Sequence, residues 1–311
     1  MQVDEELAPF SPQKETLLTI GVFDGLHLGH KHLISKLLDQ AHKQNLLSGV
    51  VTFRQHPREL LSPKIKIPSL CSVAEREQLL KNEGVDIIAT LTFNRELAQL
   101  SARDFVSLLK KHLKMRGLVI GPDFVLGKNR EGNADTLRSL GEEIGFSVTI
   151  VAPKKINGEV ASSTAIRQAL AAGDMKKVTR LLGRPFSIRG KVTSGEHRGT
   201  GLGFPTINLN VDARMAIPPD GVYVTWAYID GRRYQAMTNI GKNPTFGDNL
   251  ERRVESFILN YTGDVYNKEV KIEIIERLRE EKRFDSIEEL KKQIADDVKR
   301  GAEILNTQGS K

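Results

Sequence analysis

Thr16-Leu17-Leu18-Thr19-Ile20-Gly21-Val22-Phe23-Asp24-Gly25-Leu26-His27-Leu28-Gly29-His30 decides how the front of this chain folds. It opens as a run of β-formers, breaks at glycines, and passes into an amphipathic helical pattern over 31–45. A strand, a glycine-rich turn and a helix make a natural anion site. The helix start presents unpaired N–H groups and the positive end of its dipole, and glycines let backbone approach phosphate closely. His27 and His30, three residues apart, flank Leu28 and Gly29. They stabilise charge developing on a phosphate during transfer, or they cap and solvate a helix start. The residues alone leave both readings open.

Outward from this stretch, strand-like and helix-like segments alternate to about residue 183. Strands are expected at 17–23, 48–53, 87–92, 118–120 and 147–151, and helices at 31–45, 73–83, Ala102–Leu113, Ala134–Ile144 and Ser163–Ala171. Alternation of this kind predicts a parallel sheet covered by helices on both faces. Ligands in such folds sit outside the carboxyl ends of the strands, where 21–30 falls. The character changes at Leu182-Gly183-Arg184-Pro185. Short strands then follow at 186–192, 222–229, 234–239, 254–259 and 270–275, separated by Gly, Pro, Asn and Asp turns. Ile229-Asp230-Gly231-Arg232 is a hairpin signal, and the spacing predicts a small antiparallel barrel or sandwich. A last helix runs from Ser286 to about Ile304, with Ser286 and Glu289 as a capping box and Leu290, Ile294, Val298 and Ile304 as its apolar stripe. The boundary expected at 183–185 gives domains 1–183 and 184–311.

The length of 311 residues accommodates one large or two ordinary domains. With 39% hydrophobic and 27% charged residues and no apolar run of about 18, the chain reads as globular without a membrane span. Residues 1–11 carry three acids and no base, against a signal peptide. Cys71, the single cysteine, excludes an intramolecular disulfide and fits a cytoplasmic location. A net charge of +7 favours anionic partners, nucleotides or nucleic acid. Aromatic residues are only 6% and are not interleaved with a basic patch, so a nucleic-acid partner is not expected.

Further motifs carry candidate chemistry. Ala161-Ser162-Ser163-Thr164-Ala165-Ile166-Arg167 opens a helix, where hydroxyls cap the end or hold phosphate, and Arg167 one turn on can clasp the same anion. Gly121-Pro122-Asp123-Phe124-Val125-Leu126-Gly127 follows a strand; Asp123 suits a ribose hydroxyl, or it is an ordinary turn residue. His56-Pro57, at another strand end, is a weaker candidate. In the second half, Gly199-Thr200-Gly201-Leu202-Gly203-Phe204-Pro205-Thr206-Ile207-Asn208 frees the backbone to wrap phosphate. Thr206 and Asn208 share one face of an extended chain, and a hydroxyl beside an amide oxygen suits Mg²⁺. Glu255 begins a strand, where it serves as a general base or is an exposed strand-end carboxylate.

Together these residues resemble the bifunctional bacterial riboflavin kinase/FAD synthetase family over nearly the whole chain. Residues 21–30 look like its HxGH nucleotidyltransferase motif, with 121–127 and 162–167 following in the family's order. Residues 203–209, Asn239-Ile240-Gly241-Lys242-Asn243-Pro244-Thr245-Phe246, Glu255 and Leu278-Arg279-Glu280-Glu281-Lys282-Arg283-Phe284 look like its flavokinase segments. The resemblance implies a Rossmann-like parallel sheet followed by a small antiparallel β-barrel with a terminal helix. It implies phosphorylation of riboflavin by ATP to FMN and ADP in the second domain. Adenylylation of FMN to FAD, with release of pyrophosphate, is implied in the first.

Carried over residue by residue, His27 and His30 would steady the triphosphate. Gly21, Phe23, Asp24, Gly25, Gly29, Asp123, Ser163, Thr164 and Arg167 would bind ATP or FMN. Gly201, Gly203, Pro205, Thr206, Asn208, Asn239 and Arg279 would bind ATP or riboflavin, with Thr206 and Asn208 holding Mg²⁺ and Glu255 taking the hydroxyl proton. The chain departs from the family pattern at Ile207, Asn243, Ser256-Phe257, Asn260 and Asn267, around the kinase site. An adenylyltransferase with a degenerate kinase domain, and a basic nucleic-acid-binding protein on the same scaffold, stand as alternatives. A class I aminoacyl-tRNA synthetase is disfavoured, because no Lys-Met-Ser-Lys-Ser segment appears.

Overall fold

Strands buried on both faces build the centre of the first sheet. In the computed structural model, which describes residues 1–62, 64–193, 203–242 and 252–308, contacts divide the chain into Met1–Ser163 and Thr164–Lys311. In the first unit β1 (Thr16–Ile20), β2 (Leu47–Phe53), β3 (Ile87–Leu91), β4 (Met115–Ile120) and β5 (Ser147–Ile150) form a five-stranded sheet ordered β3-β2-β1-β4-β5. All four pairings are parallel. Successive side chains point to opposite faces. Leu18 and Ile20 therefore pack with Val51, Leu118 and Phe105 of the helix Ala102–Leu113. Leu17 packs on the other face with Val50, Val119 and Ile34, Leu37 and Ala41 of the helix Leu28–Lys43. Both faces are thus helix-covered. The strand order reverses between β1 and β4, which puts the ligand crevice at their carboxyl ends.

Two boundaries at the opening stretch differ from expectation. β1 stops at Ile20 rather than continuing to 23, because Phe23 (φ 52°) and Leu26 (φ 35°) turn into the left-handed region. The helix begins at Leu28 rather than 31, because His27 caps it. Sequence patterning also passed over short amphipathic pieces. Gln2–Leu7 buries Val3 and Leu7 against the sheet's core, and Glu6 ties it down by accepting from the Thr92 N–H and hydroxyl, both at 2.7 Å.

A short antiparallel ribbon of β6 (Lys155–Ile156) and β7 (Glu159–Val160) ends the first unit's strands. In the second unit β8 (Phe186–Thr193), β9 (Thr206–Asn210), β10 (Gly221–Ile229), β11 (Arg232–Lys242), β12 (Arg252–Ile258) and β13 (Glu269–Arg279) close a barrel in the order β10-β11-β12-β9-β8-β13. Every pairing is antiparallel. The Asp230-Gly231 hairpin forms with both residues left-handed, at φ 48° and 78°, the geometry a two-residue turn between twisted strands requires. Inside the barrel Thr225, Thr238 and Ser256 are buried and joined by hydroxyl contacts of 2.9 Å. Thr225 donates its only proton to the Ala236 carbonyl, so Thr238 donates to Thr225 and Ser256 to Thr238. This pins the register of β10, β11 and β12.

The helix Met175–Leu182, unread in the sequence, lays Val178, Leu181 and Leu182 inward and packs on β8 and β13. The terminal helix Ile287–Gln308 is capped by Ser286, whose hydroxyl accepts the Glu289 N–H at 3.1 Å. It buries Val298, Ile304 and Leu305 against Trp226 and Leu278. Two of the departing residues, Asn260 (φ 55°) and Asn267 (φ 63°), are left-handed, a conformation asparagine tolerates better than most residues. Asn243 lies outside the described residues.

Candidate active sites

The first site is the loop between β1 and the helix Leu28–Lys43. His27, 4% exposed, is that helix's N-cap: its Nδ1 accepts the N–H groups of Gly29 at 3.1 Å and His30 at 3.2 Å. A neutral imidazole that accepts at Nδ1 carries its proton on Nε2. His27 is therefore both a cap and a fixed Nε2–H donor. Its ring stacks on His30 at 3.6 Å between centroids, and Phe23 closes on His30 at 5.1 Å.

Burial above all, then the neighbouring His27 and Arg76, hold the His30 pKa well below 6.5, so His30 is neutral at physiological pH. Its Nδ1 is buried without a hydrogen-bond partner among the described residues, an arrangement more typical of a binding site than of a settled core. Gly29 is required by close approach, since a Cβ there would lie 2.5 Å from the Ala161 carbonyl oxygen.

The other residues of the loop hold it in place. The buried Asp24 carboxylate turns inward and accepts the Leu70 N–H at 2.9 Å. Gly25 donates its N–H to Cys71 Sγ at 3.1 Å, and burial pushes that thiol's pKa up to about 12. Gly21 extends the β1–β2 ladder by donating to Val51. The Ser163 hydroxyl donates to the Asp24 carbonyl at 2.9 Å, which brings the start of the helix Ser163–Ala171 to the loop. Thr164 and Arg167 follow on that helix, beyond the division between units. Asp123 is exposed on the turn after β4, at its carboxyl end.

His56 is an ordinary cap, its Nδ1 accepting the Arg58 N–H at 3.1 Å. Arg76, 5% exposed behind the loop, escaped the sequence reading. Its signal was its place one turn before the buried Leu80, on the same face of the helix Val73–Asn82.

The second site is a polar row on the barrel. In the strand register Asn239 faces Glu255 and Glu255 faces Asn208, while in the next row Met237 faces Phe257 and Phe257 faces Thr206. Paired residues point to the same side, so Asn208, Glu255 and Asn239 stand side by side, with Thr206 two residues along. Thr206, Asn239 and Glu255 of this row border a cavity of about 630 Å³, which Phe257 and Arg279 also line. Phe204 meets Phe257 edge-on at 5.4 Å, an apolar wall.

Arg279 is held from the terminal helix. Its Nε and Nη2 both donate to Asp297 Oδ2, at 2.9 and 2.7 Å, and Gln293 also donates to that carboxylate. Asn239 donates its amide to Glu281 at 3.0 Å. Gly203 is left-handed at φ 86° in open space, and Pro205 is exposed beside it. Gly201 lies outside the described residues. A hydroxyl, an amide oxygen and a carboxylate on one face are hard oxygen donors of the kind Mg²⁺ takes, so this donor set fits that ion. Asp297 and Glu281 went unread because each acts from a segment distant in sequence.

One half of the chain is thus an α/β unit with a stacked histidine pair in its ligand crevice, the other a barrel with a hard-donor row beside an aromatic-walled cavity. The class so defined is an enzyme of phosphoryl or nucleotidyl transfer. Residues 10–165 match the FAD synthetase family and residues 182–305 the riboflavin kinase family. The chain is 37% identical over 300 residues to the bifunctional riboflavin kinase/FMN adenylyltransferase of Pseudomonas fluorescens, covering 96% of each chain. It is 37% identical over 289 residues to that of Escherichia coli K12, covering 92% of each. A crystal structure described as a macrolide-efflux protein from Streptococcus pneumoniae shares 34% identity and superposes with a TM-score of 0.85 over 94% of both chains. That description names a different activity, whereas both family matches and the curated relatives agree with each other. Among the described residues no helix is long and apolar enough to cross a membrane. The chain belongs to the bifunctional riboflavin kinase/FMN adenylyltransferase family.

Proposed function

We propose that the chain makes FAD from riboflavin in two ATP-dependent steps at two separate sites. Residues 184–311 are read as the kinase domain and 1–183 as the adenylyltransferase domain. The observation that carries the reading is that each family match spans one site: 10–165 contains His27 and His30, and 182–305 contains Thr206, Asn208 and Glu255.

At the barrel, the ribityl 5′-hydroxyl of riboflavin attacks the γ-phosphorus of ATP, and the bond to the departing ADP oxygen breaks. Glu255 takes the hydroxyl proton. Thr206 and Asn208 would hold Mg²⁺, which when bound offsets phosphate charge. Asn239, fixed by Glu281, lines the acceptor side, and Arg279, fixed by Asp297, borders the flavin cavity. Gly203 and Pro205 shape the loop around the nucleotide, and Gly201 is assigned to it from the family motif alone.

At the α/β unit, a phosphate oxygen of FMN attacks the α-phosphorus of ATP and pyrophosphate leaves. The His27 Nε2–H and the neutral His30 ring steady the triphosphate as charge builds on the leaving group. Gly21, Phe23, Gly25 and Gly29 keep backbone close to it, Asp24 braces the loop, and Asp123 faces the ribose. Ser163, Thr164 and Arg167 clasp phosphate at a helix start. Positioning and charge neutralisation dominate both transfers, so neither needs a covalent nucleophile. The test is the double substitution His27→Ala/His30→Ala, which should abolish FAD formation from FMN while leaving FMN formation from riboflavin intact. Equal loss of both activities in a folded variant would contradict separate sites.

A further inference from the structure

The loop that carries the histidine pair is held in a conformation its own residues resist. Phe23 and Leu26 are bulky, buried and left-handed, at φ 52° and 35°. Such backbone persists only where its surroundings over-determine it. Beside Thr52 and Ser163, which each donate to a loop carbonyl, one short segment supplies most of these braces. Leu70 donates to the Asp24 carboxylate, Cys71 Sγ accepts from Gly25, and Arg76 reaches the loop from the helix Val73–Asn82.

Arg76 makes the longest reach. Its Nη1 donates to the Val22 carbonyl at 2.7 Å and its Nη2 to the Phe53 carbonyl at 2.5 Å. Val22 is the residue before the left-handed Phe23, and Phe53 ends β2. The Thr52 hydroxyl donates to the same Val22 carbonyl at 3.1 Å. The fork of one guanidinium therefore joins the loop's entry to the end of the neighbouring strand. Both of its hydrogen bonds go to neutral carbonyls, and its Nε is buried without a partner among the described residues. Asp24, Cys71 and Glu77 are the titratable groups that act on it electrostatically, and its own charge in turn acts on His30. An apolar side chain in this place would leave both carbonyls without the guanidinium donors, and the buried Asp24 carboxylate supplies opposing charge nearby.

We infer that Arg76 is a positioning residue for nucleotidyl transfer: its two-carbonyl bridge sets the loop so that the His27–His30 pair meets the triphosphate of ATP. The inference rests on the adenylyltransferase reading above. Nothing in that reading assigns Arg76 a part, and Arg76 does not touch the reacting atoms. The bridge needs a planar fork with two parallel donors. Lysine preserves the charge but not the fork, and methionine preserves the volume alone.

The test uses the full-length chain and three forms: wild type, Arg76→Lys and Arg76→Met. FAD formation from FMN and ATP, and FMN formation from riboflavin and ATP, are measured separately, and the His30 imidazole is followed by NMR titration. Arg76→Met is expected to lower kcat for FAD formation by about 10–100-fold, with KM for FMN within about threefold and riboflavin phosphorylation unchanged. Arg76→Lys should fall between Met and wild type, at least about threefold below the latter. The His30 titration should move up in Arg76→Met, because a neighbouring positive charge has been removed.

Wild-type protein that makes no FAD would fail the functional reading, and the His30 titration still judges the geometric claim there: a shift supports it and no shift overturns it. Where wild type is active, kcat within twofold of wild type in both variants would overturn the proposal, even if thermal stability dropped. If Arg76→Met does not fold, Arg76→Lys decides alone, and wild-type kcat in that variant overturns the bridge.

Discussion

Replacing His27 by asparagine separates the two jobs the structure gives it. The imidazole Nδ1 caps the helix through the N–H groups of Gly29 and His30, and in the proposed reaction the Nε2–H donates to the phosphate. Asparagine is among the best N-caps and its carbonyl oxygen can accept the same two donors, whereas alanine can accept neither. Losing the cap costs about 1–2 kcal/mol. A domain stable by about 5–15 kcal/mol remains almost wholly folded after such a loss, so unfolding cannot explain a large fall in rate. Removing one preorganised donor to a developing anion costs about 10²–10³ in kcat, equal to about 3–4 kcal/mol. His27→Asn should therefore lose at least about 10²-fold in FAD formation while its denaturation midpoint stays above that of His27→Ala. Both variants should phosphorylate riboflavin normally. The assay is pyrophosphate release from FMN and ATP, paired with urea unfolding. His27→Asn within threefold of wild type would reduce His27 to a helix cap and refute the catalytic half of the argument.

Glu255→Gln should cut FMN formation by about 10²–10⁴-fold without changing FAD formation from supplied FMN; a near-normal rate in a steady-state phosphorylation assay would remove Glu255 from the base role. The His30 ring is held neutral in the fold, while the unfolded chain titrates near 6.5. Below that pH the unfolded state binds the extra proton, so stability is full above it and falls with decreasing pH at up to about 1.4 kcal/mol per unit. His30→Gln should flatten this slope between urea curves at pH 7.5 and 5.5, and an unchanged slope would contradict the half-buried neutral ring. Asp297→Ala strips the buried carboxylate, 6% exposed, from Arg279. It should destabilise the barrel by about 3–5 kcal/mol, because the guanidinium is left without its partner. It should also raise KM for riboflavin; a loss under 1 kcal/mol by chemical denaturation would show the pair to be incidental.

The sheet was legible in the sequence because its strands are buried on both faces. Runs such as Leu17-Leu18-Thr19-Ile20 and Val50-Val51-Thr52-Phe53 read as strands, although the first was expected to continue past Gly21. The loop's shape was not legible. That Phe23 and Leu26 would turn left-handed depends on Leu70, Cys71 and Arg76, some fifty residues on, and no local propensity encodes such a demand. The same holds for the barrel. Thr206, Asn208 and Glu255 were recognisable as residue types at suggestive spacing, but the row they form with Asn239 exists only through the pairing of β9, β12 and β11. The helix Met175–Leu182 was passed over because eight residues of mixed Lys, Arg and Leu resemble a linker until packed on β8 and β13. Residue types alone leave capping and catalysis open for the histidine pair; the structure shows that His27 is the cap.

The most direct test of the central claim is a time course of purified protein with riboflavin, ATP and Mg²⁺, resolved by chromatography. Two sites in one chain predict FMN first and FAD after it, with ADP released in the first step and pyrophosphate in the second. Neither product, or FAD formed from supplied FMN but never FMN from riboflavin, would contradict it.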